Sequence, residues 1–337
     1  MRIGLAGVGR IGAEHARALH THPDVDQLVV TDANPDRAAR VAAELGIEHT
    51  RDADAMLASG IDAFVIAAAT DAHADLILAG IDAGLPVFCE KPVAGEVKGT
   101  IRVRDRVAET GARVHIGFQR RFDAGYTAAR EALASGALGG LRRVHMLTAD
   151  PAPPSAEYIA ASGGAFRDML IHDFDALRWV TGREVVEVYA TGVARGADFF
   201  ASAGDVDEAT ALLTLDDGTL CTVHGSRYNG AGYDVRMELA GTEATWSVGL
   251  DDRVPLRSAE PGVTFPAGPP VPAFWPRFVN AYRAEMTAFV AMARGEIPSP
   301  CTVQEALDAL YVAEAADLSR HEHRPVRIEE VEAAWSR

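Results

Sequence analysis

Along the first third of the chain, apolar residues recur in two alternating rhythms. Short runs of aliphatic and β-branched residues at Arg2–Val8, Gln27–Thr31, Ala63–Ala68, Pro86–Cys89 and Arg113–Gly117 read as buried strands. Between them, residues 11–21, 35–45, 71–83 and 96–110 carry the spacing of helices with one apolar face. This alternation predicts βαβ units on a parallel sheet, ending near residue 118. The rhythm then changes. Val144–Thr148, Val185–Ala190, Thr210–Leu215, Leu220–Arg227, Val235–Ala240 and Thr245–Val248 are strand-like, with few helices among them. Asp216-Asp217-Gly218-Thr219 is a hairpin signal between two of these runs. A second domain on an antiparallel sheet is the simplest account. The Pro- and Gly-rich stretch 255–276 reads as a loop, and helical spacing returns near 277–294 and 302–320. No internal repeat or low-complexity tract interrupts the pattern.

Length and composition support two domains. A chain of 337 residues exceeds the size at which one hydrophobic core stops growing. With 48% apolar and 24% charged residues it has the balance of an ordinary globular protein. The formal net charge of −16 disfavours nucleic acid as a partner, because phosphate backbones need a basic face. Phosphates of a small cofactor can still be met by backbone N–H groups. Cys89, Cys221 and Cys301 are odd in number and lack CxxC spacing, so they are expected to be reduced and mostly buried. Neither a basic leader nor an apolar run of about 20 residues is evident, so the expected compartment is the cytoplasm, away from membranes.

Gly7-Val8-Gly9-Arg10-Ile11-Gly12 follows a strand pattern and opens a helix pattern, the setting in which GxGxxG binds a dinucleotide. The first glycine permits the turn, the second admits the pyrophosphate and the third lets helix and strand approach. Asp32 ends the next strand, 20 residues after Gly12, where a carboxylate can accept from the adenosine ribose hydroxyls and would repel a 2′-phosphate. NAD is the expected cofactor, with NADP a weaker second choice because Arg37 lies nearby in sequence. The expected fold is therefore α/β. An N-terminal Rossmann doubly wound parallel sheet spans 1–118. An α+β domain spans 119–337 on a large, mainly antiparallel open sheet, with the helix at 302–320 a candidate to pack back on the first domain.

Val87-Phe88-Cys89-Glu90-Lys91-Pro92 puts a lysine at the carboxyl end of a strand, where ligands sit in open α/β sheets. In Gly163-Gly164-Ala165-Phe166-Arg167-Asp168-Met169-Leu170-Ile171-His172-Asp173, Asp168 and His172 would share one face of a helix. Taken singly, Lys91 also reads as a solvated strand end, and Asp168 with His172 as a surface pair. A metal site on His172 and Asp173 is disfavoured, because no further ligands recur at suitable spacing. His15, His20, His22, His115 and His145 read as ordinary polar or packed residues.

Four segments in order, GVGRIG from Gly7, CEKP at 89–92, GFQRRFDAGY at 117–126 and DMLIHDFD at 168–175, resemble the Gfo/Idh/MocA family of oxidoreductases over nearly the whole chain. With Gly232-Tyr233-Asp234, the pattern is most similar to bacterial inositol 2-dehydrogenases. The resemblance implies an NAD-dependent dehydrogenase that oxidises a ring hydroxyl of a cyclitol such as myo-inositol, with Lys91, Asp168 and His172 as the catalytic set. A histidine titrates near neutrality and suits a general base. A lysine can steady alkoxide character on the same oxygen, and an aspartate favours the cationic form that arises. Cofactor contacts are expected from Gly7, Gly9, Arg10, Ile11, Gly12, Asp32, Arg37, Ala68, Thr70, His73, Glu90 and Lys91. Substrate contacts are expected from Lys91, Arg120, Asp150, Asp168, His172, Tyr233 and Tyr282, while Arg121 reads equally well as structural.

One departure is visible: Asp150-Pro151 stands where related inositol dehydrogenases tend to have Asn-Pro, which opens the choice of polyol. A pyranose dehydrogenase or ketoreductase is the alternative enzyme, an NAD-dependent glycosidase a remoter one, and a non-catalytic NAD-binding sensor the alternative outside catalysis. A homo-oligomer is expected through the exposed sheet, a tetramer by resemblance.

Overall fold

The computed structural model describes residues 1–335 and divides into two compact units. Unit 1 comprises Met1–Gln119 and Asn280–Asp308, and unit 2 comprises Arg120–Val279 with the chain from Ala309 onward. Residues 280–308, which the sequence pattern places with the second domain, thus belong to the first unit.

In unit 1 the elements run β1 (Arg2–Ala6), α1 (Arg10–His20), β2 (Gln27–Thr31), α2 (Pro35–Leu45), β3 (Glu48–His49), α3 (Ala53–Leu57), β4 (Ala63–Ile66), α4 (Thr70–Asp82), β5 (Val87–Glu90), α5 (Val97–Thr110) and β6 (Val114–Gly117). All six strands are parallel, in the order β3-β2-β1-β4-β5-β6, which is the doubly wound Rossmann arrangement. The order reverses beside β1, so the crevice between the carboxyl ends of β1 and β4 is where such sheets bind ligands. Local chemistry sets the helix ends. Asn34 caps α2 through the N–H groups of Asp36 and Arg37, Pro35 follows it, and Gly46 closes the helix in the left-handed region. The core gathers Ile3, Leu5, Val30, Val65 and Phe88 with Met286, Phe289 and Val290, and the Phe88 and Phe289 rings meet edge-on at 5.7 Å. That burial is what joins residues 280–308 to this unit.

The first division between units falls within a 3-10 turn at Gln119–Phe122, and unit 2 continues through α6 (Ala124–Ala134), β7 (Leu141–Ala149), α7 (Ala156–Ala161), α8 (Ala165–Asp168), α9 (Ile171–Thr181), β8 (Val185–Val193), α10 (Asp198–Ser202), β9 (Glu208–Leu215), β10 (Leu220–Ser226), β11 (Asp234–Gly241) and β12 (Thr245–Val248). The later divisions fall inside α11 (Phe274–Ala293) and α12 (Val303–Glu322), and the chain ends in unit 2 with β13 (Val326–Arg327) and α13 (Ile328–Trp335). The seven strands are ordered β12-β11-β7-β10-β9-β8-β13, and only β7 and β10 pair in parallel among them. The hairpin at 216–219 joins β9 to β10, with Gly218 at φ 84°.

Helices α7 to α10 correct the expectation of few helices here. Helix α9 buries Ile171, Asp173, Phe174, Asp175, Ala176, Leu177, Arg178 and Val180, so it presents no polar stripe for a periodicity to reveal. Helices α7, α8 and α10 have only six, four and five residues, too short to establish a period. Among the described residues no helix is long and apolar enough to cross a membrane.

Candidate active site

The glycine loop of unit 1 has the geometry its spacing demands. Gly7 sits at φ 92°, and a Cβ there would come within 2.5 Å of the Ala67 carbonyl. A Cβ on Gly12 would lie 1.9 Å from the Gly7 oxygen, so both positions enforce contact between the loop, α1 and the turn after β4. Gly9 differs, since a Cβ there would meet only an Arg37 nitrogen at 4.0 Å. It is also the N-cap of α1, with no side chain capping the helix. Uncapped N–H groups beside open space fit the pyrophosphate of a dinucleotide, with Arg10 and Ile11 following as the first residues of α1.

Asp32 lies just past β2 and is buried. Its Oδ2 accepts from the Val8 N–H at 2.8 Å, its Oδ1 from the Asn34 N–H at 2.8 Å, and the Arg37 guanidinium stands 3.3 Å away. The carboxylate is thus oriented by backbone at the loop where the ribose of a dinucleotide is read.

Ala68 and Thr70 stand at the turn into α4, with Thr70 its first residue. His73, an expected cofactor contact, lies in the first turns of α4. It is buried, with Nδ1 2.7 Å from the Pro92 oxygen and Nε2 3.1 Å from the Ala68 oxygen. Both ring nitrogens are engaged by backbone, so this side chain ties the α4 turn to the Lys91-Pro92 segment. Lys91 follows β5 and is partly buried, and its peptide bond to Pro92 is cis. Glu90 is also occupied: its Oε1 lies 2.7 Å from Nε2 of His15, a fully buried ring on α1. His15, read as ordinary from sequence, therefore links the helix behind the glycine loop to the strand that carries Lys91. Tyr282 belongs to unit 1 as well and sets its ring edge-on to His15 at 5.8 Å.

The remaining expected substrate residues, Arg120, Asp150, Asp168, His172 and Tyr233, all belong to unit 2. Asp168 ends α8 and His172 is the second residue of α9, two helices in place of the single one their spacing suggests. The Leu170 N–H reaches back to Ala165 and the Asp173 N–H only to Leu170, so the regular ladder is broken between them. Gly225 on β10 admits this break, since a Cβ there would lie 2.7 Å from the Met169 methyl and 2.8 Å from Leu170. Asp168 then receives Tyr158 Oη at 2.8 Å on Oδ1 and Arg227 Nη2 at 2.6 Å on Oδ2. The same guanidinium donates to Asp150 Oδ2 at 3.0 Å. Neither Arg227 nor Tyr158 is flagged by the sequence pattern. A strand ending in Ser226-Arg227 was the available hint, and nothing marks Tyr158.

Arg120, an expected substrate contact, has internal partners. Its side chain is 2% exposed, with Nη1 donating to Asp173 at 2.7 Å and Nη2 to Thr148 Oγ1 at 2.8 Å, while Thr148 donates to the other Asp173 oxygen at 2.7 Å. Burial opposes the Arg120 charge, and Asp173 more than offsets this, leaving the arginine pKa above its ordinary value. Burial raises the Asp173 pKa, with Arg120 and Thr148 opposing it. This enclosed guanidinium bonds residues of β7 and α9 from its place in the 3-10 turn. Arg121 likewise pairs with buried Asp175 at 2.6 Å. Tyr233 is buried against Phe278, and burial pushes its phenol up while Arg120 pulls it down. Tyr126, not anticipated as a site residue, shares this pocket of charge; burial lifts its phenol to about 12 against the pull of Arg120.

Comparison with known proteins agrees with both halves of the arrangement. Residues 1–118 match the model of an oxidoreductase family with an NAD-binding Rossmann fold, and residues 126–247 match the GFO/IDH/MocA C-terminal domain. The chain is 37% identical to the myo-inositol dehydrogenase Hyg17 of Streptomyces leeuwenhoekii, over 95% of this chain and 97% of that protein. A myo-inositol dehydrogenase from Corynebacterium glutamicum superposes with a TM-score of 0.90 at 32% identity, covering 97% of this chain and 98% of the other. A scyllo-inositol dehydrogenase from Lactobacillus casei, solved with NAD(H) and scyllo-inositol bound, superposes with a TM-score of 0.86 at 27% identity, covering 98% and 99%.

Proposed function

Because the chain belongs to the GFO/IDH/MocA family of NAD-binding oxidoreductases, we propose that it is an inositol dehydrogenase, oxidising a secondary ring hydroxyl of myo-inositol or a related cyclitol to the ketone. The observation that carries this reading is the open, uncapped helix terminus at Gly9, with Asp32 oriented beside it, in a chain that also bears the family's Lys91, Asp168 and His172. A sensor would need the first feature and not the second. Bound NAD supplies the hydride acceptor. His172 is assigned the hydroxyl proton, Lys91 a donor to the oxygen that becomes the ketone, and Asp168 the negative charge that favours the imidazolium. Cofactor contacts are assigned to Gly7, Gly9, Arg10, Ile11, Gly12, Asp32 and the turn at Ala68–Thr70. NADP is the weaker alternative.

We assign the enzyme to the cytoplasm, supported by three buried cysteines that form no disulfide among the described residues, and to a homo-oligomer, a tetramer by family resemblance. The deciding experiment is an NADH-absorbance screen of inositol isomers and common aldoses. Turnover of an inositol above every aldose is expected, and turnover of aldoses alone would replace the cyclitol with a pyranose.

A further inference from the structure

We propose that Arg227 is a positioning residue of the reaction, holding Asp168 as an ionised acceptor, and that Asp150 sets the strength of that hold by sharing the guanidinium. The proposal rests on the dehydrogenase reading for its functional consequence, but the chain Asp150–Arg227–Asp168–Tyr158 lies wholly within unit 2.

The geometry is specific. Arg227 follows the last residue of β10, and its backbone N–H is fixed to the Asp207 oxygen at 2.8 Å. Its side chain is 4% exposed, and two of its nitrogens go to two different carboxylates, Asp150 at 3.0 Å and Asp168 at 2.6 Å. Burial opposes the arginine charge, and Asp168 and then Asp150 more than offset it, so its pKa lies above the ordinary value. Asp168 has Tyr158 on one oxygen and Arg227 on the other, and only the carboxylate can accept at both without giving up a donor hydrogen. Two carboxylates against one guanidinium leave the group one negative charge in excess. That excess is what His172, the base assigned above, needs as it takes a proton. An asparagine at 150, as in the inositol dehydrogenase pattern, would remove it. The aspartate here therefore sets the site's charge.

Arg167 of α8 turns to Glu314 at 2.5 Å, with Asp317 at 4.0 Å; Asp205 accepts the Ala165 N–H at 2.9 Å; and His172 lies in the first turn of the next helix. Arg227 is a cation bonded directly to the Asp168 carboxylate.

The test reads Asp168 itself. In protein labelled with [13Cγ]aspartate, the Asp168 resonance is assigned by its loss in Asp168→Asn and followed across pH. Its midpoint should rise by about 1 to 2 pH units in Arg227→Met, where the cation is lost. It should fall by a smaller amount in Asp150→Asn, where Arg227 has a single carboxylate to serve. Opposite shifts are the signature, because loosened structure would not move the midpoint in two directions. Asp150→Asn retains the arginine and keeps the test alive if Arg227→Met does not fold. With inositol and NAD, kcat should fall about 10²-fold in Arg227→Met, the scale of a misplaced catalytic group, while NAD affinity holds. Arg227→Lys, which keeps the charge but not the fork, should retain much of the midpoint and recover only part of kcat. An unchanged midpoint in both neutralised variants overturns the proposal, as does an unchanged kcat beside a shifted midpoint. Shifted midpoints in a wild-type protein that oxidises no cyclitol would overturn the functional reading and leave the Arg227–Asp168 assignment standing.

Discussion

Asp32 shows how a single side chain can be committed in advance. Two backbone N–H groups fix its oxygens, so a ribose diol would meet a carboxylate that needs no reorganisation. Arg37, 3.3 Å away and partly exposed, is the nearest counterweight and would welcome a 2′-phosphate if Asp32 were gone. We therefore expect kcat/KM with NAD to exceed that with NADP, and Asp32→Ala to narrow the gap, measured by steady-state kinetics with each cofactor. Equal use of both by the unmodified enzyme would remove the assignment. At His172 the expectation concerns chemistry alone. Alanine should slow single-turnover NADH formation by about 10²- to 10⁴-fold while NADH binding survives. Lys91→Met should also slow it, and the two losses should fall short of additive if both residues serve one oxygen. Unchanged single-turnover rates and pH profile in His172→Ala would transfer the role of base to Lys91. Lys91, Asp168 and His172 are visible in sequence because they fall in short motifs. Their partners are not, since Arg227 stands 59 residues from Asp168 along the chain and only folding brings them together.

At the scale of elements, the junction between α8 and α9 depends on the buried pair behind it. Asp173, on the first turn of α9, is bonded to Arg120 from the 3-10 turn and to Thr148 from β7, so one ion pair ties three elements together. Arg120→Met would leave the Asp173 carboxylate buried without its cation, at a cost of about 3 to 5 kcal/mol. A lower denaturant midpoint followed by circular dichroism is the expected result, with part of the loss restored when Asp173 is also made apolar. Cofactor affinity should be spared, and a midpoint equal to wild type would show the pair to be dispensable. In unit 1, β1, β2, β4, β5 and β6 and helices α1, α2, α4 and α5 follow closely from apolar period, whereas β3 and α3 are too short to show one. Helices α7 to α10 do not follow from it, because they are short or buried on all sides and leave no periodic trace.

At the scale of the whole molecule, the outward face of unit 2's sheet carries Tyr189, Leu212 and Leu220, each more than 40% exposed, with Tyr189 and Leu212 directly opposite in register. Such a face is suited to a second copy of the chain, the reading we propose for it. Light scattering at micromolar concentration should report an oligomer, and Leu212→Glu with Tyr189→Glu should shift it to smaller species; a monomeric wild type would end that reading. The sequence by itself determined the parallel sheet, the glycine loop, the acid that follows it and the short motifs of the family. Each rests on short-range spacing, a period of two or 3.6 residues or a fixed run of glycines, that survives without any fold. Only the tertiary structure decided that residues 280–308 complete the core of unit 1, that Arg120 and His73 are spent on internal partners, and that Asp168 answers to Arg227. Those outcomes depend on which distant groups must satisfy one another once water is excluded, and chain spacing carries no record of that pairing.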